Sequence, residues 1–253
     1  MRTIHHYGWR KSHPNFHKKL LFELAPPPEI IVPALIDLRT DGNEPPIYDQ
    51  GQEGSCTGNA NGRLVEALEP GFMPSRNFLY YNGRAREGTT GQDCGAEPLD
   101  VLTALENLGV CSETDWPYDT SKFAIKPSDL AYANALLNKK FVATNILQDL
   151  NHLGACLAQG FRFSLGITVF ESFESEEVAQ TGMVPIPGPD EQEVGGHDIC
   201  IVGKMDSIQR FIVANSWGDR WGDKGYCYLP YAYVLNPNLS ADFFTLRKLL
   251  PTA

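Results

Sequence analysis

The chain has 253 residues, 42% of them apolar and 11% aromatic, which is enough for one large domain or two small ones sharing a cleft. That apolar content excludes a disordered chain. A formal net charge of −10 argues against a nucleic-acid partner, because neutralising phosphates takes clustered Lys and Arg.

Residues 1–31 form an N-terminal extension without the apolar run of a secretory signal peptide. No stretch approaches the ~18 uninterrupted apolar residues of a membrane-spanning helix. The chain therefore reads as a soluble monomer with no membrane partner, cytoplasmic or exported by a signal-independent route. Pro26-Pro27-Pro28 stiffens the extension into a connector. His13 and His17 stand at helical i, i+4 spacing, but no carboxylate or Cys completes a ligand set and Pro14 lies between them. No metal and no cofactor is expected.

Helical periodicity begins at 57–68, where Ala60, Leu64, Ala67 and Leu68 share a side, Ser55 is placed as N-cap and Pro70-Gly71 ends the run. A second helix is predicted at 98–108 (Leu99, Leu102, Leu105, Leu108), closed by Gly109. A weaker one covers 128–138 and a short one 150–159. Beyond Phe141 short strands dominate, at 163–170, 197–202, 211–214 and 225–229, with Gly and Pro between them. This order predicts an α+β fold: a helical lobe over 32–141, an antiparallel sheet lobe over 142–253, and a cleft between them.

Three distant stretches belong together chemically: Gln50-Gly51-Gln52-Glu53-Gly54-Ser55-Cys56, Gly195-Gly196-His197 and Asn215-Ser216-Trp217-Gly218. A thiol, an imidazole and an amide in that order are a nucleophile, its base and the group that orients the base. Cys56 begins a helix, whose N-terminal partial charge, together with a nearby His197, is expected to lower the thiol pKa. The Gln50 amide and the Cys56 backbone N–H would face the developing oxyanion. Trp217 and Trp221 would shield the His197–Asn215 hydrogen bond from water. The set predicts a thiol hydrolase working through a thioester. Cys94, Cys111, Cys156, Cys200 and Cys227 sit on or beside predicted helices and strands, so free thiols and a reducing compartment are expected.

From about Val32 to about Phe244 the chain resembles the papain-like cysteine proteases, and more closely short bacterial members that lack the usual disulfides. The resemblance rests on the interval from Cys56 to His197, within the family's window of about 130–150 residues. It rests also on Ile36-Asp37-Leu38-Arg39, Gly95-Ala96, Trp116-Pro117-Tyr118, and Asn215-Ser216-Trp217-Gly218-Asp219-Arg220-Trp221-Gly222 with Gly225-Tyr226. Two departures flank the nucleophile: Glu53 replaces a Cys and Thr57 an aromatic residue.

The resemblance implies a two-lobed endopeptidase with an extended peptide or protein as substrate. It implies that Gly95-Ala96 is a backbone rail for that peptide, against a simple tight turn. Asp198, where the family has Ala, would floor the pocket for the residue two before the cleaved bond and favour Lys or Arg there. The competing reading is a carboxylate satisfied by backbone donors. Trp217 would line the substrate cleft. The acidic runs 171–177 and 188–193 read as solvated faces. Residues 1–31, shorter than the family's pro-segment, could still strap the cleft through Tyr7, Trp9 and Phe16, against a strap packed elsewhere on the body. The alternatives are a silent papain-fold binding module, an N-terminally locked form, and a transglutaminase-like acyl transferase, which would need Asp in place of Asn215.

Overall fold

The computed structural model describes residues 7–13 and 30–249. Phe16, His17 and Pro26-Pro27-Pro28 lie outside the described residues. Helix α1 (Cys56–Leu68) is buried along its first ten residues, polar ones included. Asn61 and Arg63 are tolerated there because their donors reach backbone carbonyls, Thr57 O at 2.8 Å and Pro46 O at 2.7 Å. The one-sided apolar face in the sequence is therefore only part of its packing surface. Ser55 stands at the N-cap but does not cap with its side chain; its Oγ lies 2.5 Å from the Tyr118 hydroxyl instead.

Helix α2 (Arg76–Glu87) escaped the periodicity reading. Its buried face carries Arg76, Asn77, Asn82 and Arg84, whose polarity masks the stripe of Phe78, Leu79 and Tyr80. Local signals did mark it: Ser75 accepts from Phe78 N at 3.1 Å, and Gly88 ends it at φ 73°. Helix α3 (Pro98–Leu108) matches its predicted bounds, α4 (Asp129–Leu136) stops short of 138, and α5 (Leu150–Ala158), α6 (Glu176–Thr181) and α7 (Tyr231–Val234) follow.

The strands are β1 (Leu35–Asp37), β2 (Phe141–Asn145), β3 (Phe163–Phe170), β4 (Glu193–Met205), β5 (Arg210–Ala214), β6 (Tyr226–Pro230) and β7 (Ser240–Lys248). They form one antiparallel sheet in the order β2-β7-β3-β4-β5-β6, with β1 paired to β4. Strand β4 extends beyond the predicted 197–202 at both ends and takes in Gly195 and Gly196.

Alternation along β4 feeds two cores. Ile199 and Ile201 join Phe163, Leu165 and Phe211. Cys200 and Val202 face the other way and pack with Leu64, Phe78 and Leu102 of the helices. The helical and sheet lobes are thus joined through one face of the sheet, and the N-terminus of α1 meets β4 at the seam. All six cysteines are free, and Cys94 alone of them is not buried.

Candidate active site

Cys56 is the first residue of α1 and His197 lies within β4, so the start of a helix meets a strand at the seam. The backbone amides of Asp198, Gly8 and Thr57 face the Cys56 thiol, so the sulfur sits beside the residue that follows His197. His197 Nε2 lies 2.7 Å from Asn215 Oδ1, which also accepts from Ser216 N at 2.8 Å. An oxygen accepting two hydrogen bonds assigns Nε2 as the ring donor and leaves Nδ1 as the basic nitrogen. Trp217 stacks on the imidazole with centroids 4.9 Å apart. Trp221 meets Trp217 edge-on at 5.0 Å, and Phe173 stacks on Trp221 at 5.6 Å. The His197–Asn215 bond is buried under this aromatic layer.

Gln50 is held at both ends of its amide. Ser216 Oγ donates to its Oε1 at 2.6 Å, and its Nε2 donates to Glu53 O at 2.8 Å. The second hydrogen of Nε2 remains for another acceptor.

Residues 7–13 cross this site. Trp9 N donates to Gly196 O at 2.9 Å, Arg10 N to Ala96 O at 3.3 Å, and Ala96 N to Gly8 O at 2.8 Å. Trp9 thereby bridges Ala96 in the parallel sense. The approach is close on both sides: a Cβ on Gly8 would collide with the Gly54 carbonyl, and one on Gly166 with the Trp9 indole. Gly95 and Ala96 thus lie against residues 8–10 of the protein's own chain. The Tyr7 ring lies edge-on to His197 and Trp217, both at 6.4 Å.

Carboxylates fasten this segment. Asp242 Oδ2 accepts from Trp9 Nε1 and Ser12 N, each at 2.9 Å, Glu174 accepts from the Tyr7 hydroxyl, and Glu87 pairs with Arg10.

The covered thiol differs from its sequence expectation. Burial pushes Cys56 up to about 12, with the charge of Asp198 adding to it and the facing amides opposing it. The strap removes water from the sulfur, and desolvation of a thiolate outweighs the helix terminus. Asp198 is likewise buried and pushed well above the carboxylate range, first by burial and then by Asp242. Its Oδ2 accepts from Asn61 Nδ2 at 3.3 Å, and the carboxyl that meets Trp9 is Asp242.

Asp242 was missed in the sequence. It sits in β7, an unpredicted strand, with a left-handed φ of 59° that breaks the alternating pattern. Ser216 was passed over as part of the Asn-Ser-Trp-Gly run, and nothing local marks its bond to Gln50.

Comparison with known proteins gives the family and the fold. The model of the papain family cysteine proteases matches residues 84–234. An uncharacterized peptidase C1-like protein of Acanthamoeba polyphaga mimivirus is 37% identical over 96% of this chain and 86% of its own length. Xylellain, a cysteine protease from Xylella fastidiosa, superposes with a TM-score of 0.88 at 32% identity, covering 96% of each chain. Cysteine proteinase 2 of Entamoeba histolytica is 28% identical over 78% of this chain and 63% of its own length. A two-lobed α+β hydrolase with a thiol at the seam is therefore what fold and relatives define. The chain belongs to the papain family of cysteine proteases.

Proposed function

We propose that Cys56 is the nucleophile of a peptide-bond hydrolysis in which His197 Nδ1 accepts the thiol proton. The attack forms a thioester and His197 returns that proton to the leaving amine, then activates the water that releases the acid. Asn215 holds the imidazole by its Oδ1 and fixes the tautomer. The Cys56 amide and the second hydrogen of Gln50 Nε2 receive the oxyanion. The observation that carries this reading is the His197–Asn215 hydrogen bond under Trp217, beside a buried thiol.

Residues 7–13 act as an inhibitory strap rather than a substrate. A cleavable peptide must bring a carbonyl carbon to the sulfur; this segment brings the Gly8 amide instead. It passes from Trp217 at one end to Asp242 at the other, which supports a cleft open at both ends and endopeptidase action. Ala96 and Gly196 would offer the same carbonyls to a substrate strand once the strap leaves. Asp198 and Asp242 would then make the vacated Trp9 pocket acidic, favouring Lys or Arg there.

Removal of residues 1–31 is expected to raise hydrolysis of a small Arg-containing dipeptide substrate. Unchanged turnover overturns the inhibitory strap, and turnover that survives Cys56→Ala overturns the thiol mechanism. An Arg-over-Leu preference that Asp198→Ala or Asp242→Ala abolishes supports the acidic pocket, and a preference untouched by both removes it.

A further inference from the structure

The loop that carries Gln50 is braced by a residue the reaction scheme leaves unused. Glu53 is buried beneath the nucleophile loop, and its Oε2 lies 2.9 Å from the Tyr118 hydroxyl. The same hydroxyl lies 2.9 Å from Gln50 O and 2.5 Å from Ser55 Oγ. A phenol has one proton to give, and the Gln50 carbonyl can only accept. When Tyr118 donates to that carbonyl, Glu53 Oε2 can sit beside the phenolic oxygen only by bringing a proton of its own. When Glu53 is ionised it accepts the phenol's hydrogen bond, and the Gln50 carbonyl keeps only the Glu53 amide, at 3.4 Å.

A second observation points the same way. Glu53 Oε1 is buried without a hydrogen-bond partner among the described residues, a position far less costly for a neutral acid than for a carboxylate. The groups around it are Asp93 from the loop before α3, Arg84 from α2, Tyr118, and Ser55 at the start of α1. Asp93 is already engaged by Gly54 N at 3.0 Å and the Tyr80 hydroxyl at 2.6 Å. Two neighbouring carboxylates favour one remaining protonated.

We infer that Glu53, in its neutral form, is a positioning residue for the oxyanion donor: its proton fixes Tyr118 on the Gln50 carbonyl and so fixes the Gln50 amide. This role rests on the hydrolase reading and adds to it. Burial pushes Glu53 up to about 7 from its ordinary 4.5, with Ser55 and Tyr118 opposing and Asp93 adding. The raised acid binds its proton more tightly in the folded state. The stability it contributes is complete below pH 4.5 and lost as pH rises through about 7. The Gln50 donor loosens over the same upper range.

Glu53→Gln supplies a permanent N–H donor of the same shape, whereas Glu53→Ala supplies none. In a chain whose strap is displaced by Gly8→Val, which would drive a side chain into the Gly54 carbonyl, Glu53→Gln is expected to keep kcat for a peptide substrate and move its alkaline limb upward. Glu53→Ala is expected to lower kcat at unchanged KM, by up to the about 10²-fold that a misplaced group costs. In the full chain, whose reading needs no turnover, the thermal midpoint should fall between pH 4.5 and about 7, and the Gln variant should lose that fall. A Gln variant as impaired as the Ala variant, or a pH profile and thermal dependence unmoved by Gln, overturns the inference. Absence of Cys56 modification by an epoxysuccinyl probe in any variant instead overturns the hydrolase reading beneath it.

Discussion

Gln50 shows how little freedom a working side chain has here. Its carbonyl oxygen is fixed by Ser216 across the cleft, its amide by the Glu53 backbone, and its own main-chain N–H by Ser216 O at 2.9 Å. Gln50→Ala removes the donor without touching thiol, imidazole or Asn215, and is expected to lower kcat by about 10²–10³ with little change in KM. Steady-state kinetics on a strap-displaced chain measures this. A loss confined to KM would assign Gln50 to ground-state binding instead. Cys56, His197, Asn215 and Gln50 could be put forward as candidates because each stands in a short local motif whose chemistry is explicit. Glu53, Tyr118, Ser216 and Asp242 were not, because their meaning lies in contacts between segments far apart in sequence. Glu53 could be noticed as a departure, but a lone acid on a loop gives no sign of burial.

At the scale of elements, sequence periodicity found α3 to the residue and missed α2, and the reason is physical. Pattern reading assumes that buried means apolar, whereas α2 buries Arg76 over the Tyr118 ring and Arg84 over the Tyr80 ring, each at 4.0 Å. Strand β7 was missed because Asp242 interrupts its alternation to meet the strap. The strap itself was foreseen as one of two placements, and only its contacts separate them. Its packing leaves no room beside Gly8, so Gly8→Val should force residues 7–13 out of the cleft while leaving the rest of the fold intact. We expect hydrolysis of a small substrate to rise by at least an order of magnitude, set by how fully the strap occupies the cleft beforehand. Turnover equal to the parent chain, with an unchanged thermal midpoint, would mean that the segment adjusts in place and does not control access.

Across the whole molecule, two apolar cores share one sheet, and the reactive groups stand where the helical lobe is laid against it. Arg162, the residue before β3, reaches Asp41 and Glu44, each at 3.0 Å. Such a buried network fixes the relative placement of the lobes, and with it that of the α1 terminus and β4. In the covered state that sulfur is desolvated and protonated, with its pKa near 12, and is a poor nucleophile. Displacing the strap returns water to the sulfur while His197 and the helix terminus remain, so the thiolate fraction at neutral pH should increase. The most direct test is stoichiometric labelling by an epoxysuccinyl thiol probe near pH 7, located by mass mapping, on the intact chain and its Gly8→Val variant. The account predicts slow labelling of the intact chain, rapid labelling at Cys56 in the variant, and none at that peptide after Cys56→Ala. Equal rates in the two chains, or modification of other cysteines alone, would contradict it.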